Sequence, residues 1–148
     1  MTVQRIEHIG IVVDDLAAAT AFFTALGLEV DGETSVAGPL VDRINGLEDV
    51  RADVVMLRVP GGGTQLELAR YRSPAYEGQD GAAVPAPANA PGLRHVLLVV
   101  DDVQASLAAL REHGGELVGE LVNYEDRYWL CYVRGPAGII VELAEKIG

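Results

Sequence analysis

Two histidines and two glutamates stand in settings that this chain uses twice. His8 lies in the run EHIGIVVDD (Glu7 to Asp15), and His95 lies in RHVLLVVDD (Arg94 to Asp102), 87 residues further on. Glu67 sits in QLELA (Gln65 to Ala69) and Glu142 in IVELA (Ile140 to Ala144). Imidazole nitrogen and carboxylate oxygen are donors that divalent ions such as Ni, Co, Mn, Fe and Zn accept together. Two of each leave up to two positions of a six-coordinate ion open for water or substrate.

An ordinary explanation competes for each residue alone. A histidine in an apolar strand is commonly a satisfied core residue, and a glutamate beside leucine commonly faces water. Yet the chain has only 3 histidines, and two of them occupy matching repeat positions. Both glutamates interrupt strongly apolar strands, where a carboxylate without a partner costs several kcal/mol. His8, Glu67, His95 and Glu142 are therefore read as the ligands of one divalent metal per site. The third histidine, His113, closes a helix, where the helix dipole is reason enough for it. The single cysteine, Cys131, rules out an intramolecular disulfide and a cysteine-based zinc site, and its apolar surroundings suit a buried, inert thiol.

The elements that must hold these side chains follow from the same repeat. Each VVDD leads into an alanine-rich helical stretch, Leu16 to Leu26 and Val103 to His113, closed by Gly27 and by Gly114-Gly115. A strand follows each helix, Leu28 to Val30 and Glu116 to Val122. Hairpins then pair Ala52 to Val59 with QLELA and Tyr128 to Arg134 with IVELA, around the turns PGGG and GPAG. Alternation sends Ile9, Ile11 and Val13 to one face and His8 to the other; Val96, Leu98 and Val100 part from His95 in the same way. Leu66 and Leu68 likewise oppose Glu67, and Val141 and Leu143 oppose Glu142. If the apolar sets take the helices, all four ligands leave the opposite faces.

The expected fold is α+β: two βαβββ modules forming a curved mixed sheet around a central cleft, with helices on the outer face. It is one domain over residues 1–148, with module one at 1–72, a linker rich in Pro, Ala and Gly at 73–91, and module two at 92–148. Gly38 to Asp49 has no counterpart in the second half and suits a short helix over a pocket. Asp53 stands in a strand whose register alternation alone does not fix, facing either the cleft or the helix. Tyr128, Tyr132 and Trp129 are candidates for a pocket wall or for core.

Composition narrows the partners. Lys and Arg together number 11 against 22 acidic residues, a net charge of −11, and no basic cluster exists, which argues against nucleic acid and anionic membrane surfaces. No apolar run approaches the ~20 residues of a spanning helix. Met1 to Arg5 runs straight into a strand-like pattern without signal-peptide features, so a cytoplasmic location is expected.

The HIGIVVDDL opening, the RHVLLVVDD repeat, the GPAG turn and the two ELA endings resemble the vicinal oxygen chelate superfamily, over Val3 to Lys146. That superfamily includes glyoxalase I, methylmalonyl-CoA epimerase, extradiol dioxygenases, fosfomycin-resistance transferases and bleomycin-resistance binding proteins. Bacterial-type glyoxalase I carries His, Glu, His, Glu at the positions of His8, Glu67, His95 and Glu142. The resemblance implies a metal-dependent lyase or isomerase acting on a small oxygenated substrate through a metal-stabilised enediolate, with Glu142 as base and Glu67 sharing the role. In coenzyme A epimerases a carboxylate near Asp53 is a second base. The alternatives within the resemblance are a protein that sequesters a small molecule such as an antibiotic without turnover, and an Fe(II) extradiol-type dioxygenase. Glutathione-dependent members place Arg and Asn four residues after the first and second ligands; here those positions are Val12 and Tyr71, with Arg72 and Arg94 as nearby cations. Members commonly form homodimers, so His8 and Glu67 meet His95 and Glu142 either within one chain or across two.

Overall fold

A computed structural model describes residues 1–77 and 85–148. Its strands and helices fall into two compact units, Met1–Ala82 and Ala83–Gly148. The middle of the expected linker, residues 78–84, lies outside the described residues.

The first unit runs β1 (His8–Val12), α1 (Leu16–Thr24), β2 (Glu29–Ala37), α2 (Pro39–Asn45), β3 (Arg51–Arg58) and β4 (Gln65–Ser73). Its mixed sheet has the order β1-β4-β3-β2, with β1 parallel to β4 and the other pairs antiparallel. Helix α1 forms because Asp15 caps it, its carboxylate accepting from the Ala18 amide at 2.9 Å. It ends where Gly27 takes a φ of 97°, a conformation that costs glycine little. Phe22 and Phe23 project from it and are buried, packing edge to face at 5.2 Å, and Leu57, Leu66 and Leu68 of the sheet are buried too. The stretch from Gly38 onward does form the short helix expected of it. It lines a concavity of about 500 Å³ with Val36, Val50, Arg51 and Arg72.

The second unit repeats the plan with β5 (His95–Val99), α3 (Val103–Glu112), β6 (Glu116–Leu117), β7 (Val122–Tyr124), β8 (Tyr128–Arg134) and β9 (Ile140–Lys146). The order is β5-β9-β8-β6, β5 and β9 are parallel, and β7 pairs with β8. Asp102 caps α3 through the Ala105 amide, as Asp15 caps α1. Val103, Leu107 and Leu110 of the helix are buried, as are Cys131, Val133, Val141 and Leu143 of the sheet.

The mixed α+β architecture and the doubled module are as the sequence implied, each module forming its own mixed sheet among the described residues. One strand differs: Glu116 to Val122 is not continuous but breaks around Gly119 into β6 and β7. Val118 still donates to the Tyr132 carbonyl at 2.9 Å, so the break begins at the glycine, whose backbone freedom disfavours extended structure. No helix among the described residues is long and apolar enough to cross a membrane.

Candidate metal centre

The register of each sheet places its histidine and glutamate side by side. In the first unit Gly10 pairs with Glu67, so His8, two residues earlier, shares Glu67's face one step along the strand. In the second, Leu97 pairs with Glu142, and His95 again stands two residues earlier. The same diagonal is thus built twice. His8 Nε2 lies 3.4 Å from Glu67 Oε2, and His95 Nε2 lies 3.2 Å from Glu142 Oε2. Two donors bound to one ion at about 2.1 Å, at angles from right to tetrahedral, sit about 3.0–3.4 Å apart. Each His–Glu pair therefore has the spacing of two adjacent corners of a coordination sphere, and the nitrogen and oxygen donors suit the divalent ions expected.

Both pairs look away from the helices. The opposite faces carry the buried Leu66 and Leu68 under α1, and Val141 and Leu143 under α3. The site-bearing faces are open: both histidine side chains are 40% exposed, Glu67 is 31% exposed, and Glu142 is the most enclosed at 14%. Gly10 lies against Glu67, a Cβ there standing at an ordinary contact distance of 3.9 Å from Glu67 Oε1. Among the described residues, no three His, Cys, Asp or Glu side chains gather into a single ligating group; each unit brings together one histidine and one glutamate.

The two histidines are held differently. The Glu7 carboxylate bonds to His8 Nδ1, which leaves Nε2 facing Glu67. That bond is the main reason the His8 pKa lies above the ordinary histidine value, with the Glu67 charge adding to it and burial working the other way. A carboxylate behind a ligating imidazole fixes its tautomer and strengthens it as a donor. Alternation had assigned Glu7 to the helix side, so its role was not read from the sequence; the acidic residue directly before the histidine was the signal. His95 has the Tyr132 ring beside it, with centroids 5.1 Å apart.

Tyr132 pairs with Glu142 and Tyr128 with Lys146, which puts both tyrosines on the Glu142 face. Trp129, out of phase with them, belongs to the α3 face with Cys131 and Val133. Asp53 is not brought to Glu67. It pairs with Arg70 and Ser35, in phase with Val55 and Leu57, and so lies on the α1 side. There it accepts from Ser35 Oγ at 2.7 Å and stands 3.3 Å from Arg72 Nε. At the positions that differ from glutathione-dependent proteins, Val12 is exposed on the His8 face, and Tyr71 donates its hydroxyl to Asn45 at 2.6 Å. Arg94 donates to the carbonyls of Ala90 and Pro91. Burial pushes the Cys131 thiol up from its ordinary pKa, as expected of an inert core cysteine.

Comparison with known proteins agrees with this architecture. Residues 5–143 match the family model described as Glyoxalase/Bleomycin resistance protein/Dioxygenase superfamily. A glyoxalase family protein from Bacillus cereus is 36% identical, with a TM-score of 0.93, all of this chain and 97% of that one being covered. TnmS3, an antibiotic-binding protein from Streptomyces sp. CB03234, is 20% identical with a TM-score of 0.58, covering 99% of this chain and 98% of its own. A glyoxalase/dioxygenase from Nostoc punctiforme is 20% identical with a TM-score of 0.63, covering 98% and 92%. Among proteins of curated function none matches.

Proposed function

Because this chain belongs to the glyoxalase/bleomycin resistance protein/dioxygenase superfamily, we propose that it is a divalent-metal-dependent lyase or isomerase of a small oxygenated substrate. His8, Glu67, His95 and Glu142 are the ligands in this reading. The observation that carries it is the twice-built pair, with imidazole nitrogen and carboxylate oxygen 3.4 Å and 3.2 Å apart on the faces turned away from the helices. When bound, the ion supplies Lewis-acid polarisation of the substrate's oxygens. Glu142 takes the proton from the carbon beside those oxygens and returns it, with Glu67 sharing the task. Its enclosure beside His95 keeps water from competing for that proton. Glu7 holds His8 in the orientation that the set requires.

The supporting experiment is elemental analysis of chain purified without added metal, beside a His8→Ala, His95→Ala double variant. About one Ni, Co, Mn, Fe or Zn per chain, lost in the variant, is the expected result. Absence of metal from both, with none taken up on titration, would defeat the reading. Glu142→Gln should then keep the fold and lose on the order of 10²–10⁴ in turnover. Full activity in that variant would remove Glu142 as the base, and activation by Fe(II) alone would redirect the assignment to oxygen-dependent ring cleavage.

A second reading rests on the aromatic side chains. Tyr124, Tyr128 and Tyr132 share the Glu142 face, and Tyr124 is 53% exposed. A face of that kind suits sequestration of a flat apolar molecule without turnover. Metal content separates the two, because sequestration does not require it.

A further inference from the structure

Arg134 is a cation on the ligand-bearing face with no carboxylate beside it. It ends β8 two residues after Tyr132, and Tyr132 pairs with Glu142, so Arg134 belongs to the same face as Glu142. Arg134 pairs with Ile140, and Ile140 pairs with His95, so one row across the sheet runs His95, Ile140, Arg134. From Glu142 the arginine is a diagonal neighbour, about 7–8 Å away between backbones.

The guanidinium is half-buried and anchored by one nitrogen only. Arg134 Nη1 donates to the Ala86 carbonyl at 2.8 Å and to the Gly138 carbonyl at 2.9 Å. Those carbonyls fix where it points but bring no negative charge. Arg51, Arg58 and Arg72 each have an acidic partner within 4 Å, and Arg134 has none among the described residues. Arg94, also half-buried, spends both Nε and Nη2 on backbone carbonyls and is out of phase with His95. Arg134 thus keeps its second terminal nitrogen and its Nε, the fork that matches a carboxylate. In a chain of net charge −11, an anionic ligand needs a local cation on the face it approaches.

We propose that Arg134 reads a carboxylate of the ligand, so that the small oxygenated substrate is an acid with its carboxylate a few bonds from the carbon that Glu142 serves. This rests on the metal-centre reading for the position of the reacting carbon, but the arginine's own preference for an anion does not. The carbonyls of Ala86 and Gly138 hold the guanidinium in place, so the acid meets a fixed fork rather than a mobile side chain.

The test is calorimetric titration of the intact chain, with and without bound metal, using succinate and its uncharged-end analogue succinamate. Wild type should bind succinate at least about tenfold more tightly, the range for a hydrogen bond between charged groups. Arg134→Gln should abolish that preference, and Arg134→Lys should keep part of it. A preference unchanged in Arg134→Gln, or no binding of succinate by wild type, would overturn the proposal. Should Arg134→Gln fail to fold, the Arg134 Nε resonance of wild type decides: a shift with succinate and not with succinamate supports the assignment, and no shift with either refutes it. Failure of the metal reading shows separately, as absence of metal uptake with the Arg134-dependent preference intact in the metal-free chain.

Discussion

His8 owes its orientation to Glu7, and that contact makes a prediction independent of any substrate. Replacing Glu7 with Gln removes the charge that holds Nδ1 protonated and raises the pKa of His8. The imidazole pKa should fall back toward its ordinary value, read by NMR titration of the ring protons, and metal affinity should drop roughly 10- to 100-fold. An unchanged pKa would mean that Glu7 does not hold the ring. His8 also gives a sign for stability: a raised folded-state pKa adds stability that is present below the ordinary histidine value and fades as pH rises through the raised one. On the opposite face of the second sheet, Cys131 is 3% exposed and its thiol is pushed up by burial. A disulfide reagent at neutral pH should label the unfolded chain quickly and the native chain hardly at all. Rapid labelling of native protein would contradict that burial.

At the scale of elements, the join between α3 and β6 holds the tightest of the described glycines, Gly115. A Cβ on Gly115 would lie 2.9 Å from the Leu110 carbonyl oxygen, 3.0 Å from Leu110 Cβ and 3.1 Å from Val133 Cγ1. Gly115→Ala must push the end of α3 away from β8, and overpacking of this kind costs about 1–3 kcal/mol. Gly119→Ala, with open space around it, serves as the control, and denaturant unfolding of the two variants should separate them. Much of this was legible beforehand, because strand alternation has a period of two and both halves obey it. Ile9, Ile11, Leu66 and Leu68 had to share a face, which left His8 and Glu67 on the other. What alternation could not supply was register. Asp53 lies near a bulge between Arg51 and Ala52, and only its pairing with Arg70 and Ser35 reveals its face. Glu7 was missed for a related reason: it precedes the first residue of β1, where a side chain is free to reach around the strand. Arg134 was visible only as the end of a hairpin strand, and its lack of an acidic partner is a fact of three-dimensional packing.

For the whole molecule, the question that the proposed metal centre raises is how its two His–Glu pairs would meet. Each His–Glu pair has exposed apolar side chains on its face: Val12 is 59% exposed on the His8 face, and Leu97 46% and Val99 70% on the His95 face. Exposed apolar side chains beside a candidate site are surface that association with another chain would cover. The homodimer expectation leaves two arrangements open, with His8 and Glu67 meeting His95 and Glu142 either within one chain or across two. A complementation experiment tests the arrangement directly. His8→Ala and His95→Ala are purified separately, unfolded together, refolded and assayed for bound metal. If the sites are shared, each mixed dimer has one site lacking both histidines and one site with both intact, so mixing restores metal that neither variant holds alone. If all four ligands belong to one chain, every site in the mixture lacks a histidine and nothing is regained. Sedimentation of the same samples must show dimers for the first outcome to stand, and a monomer that binds a full complement of metal would overturn the shared site outright.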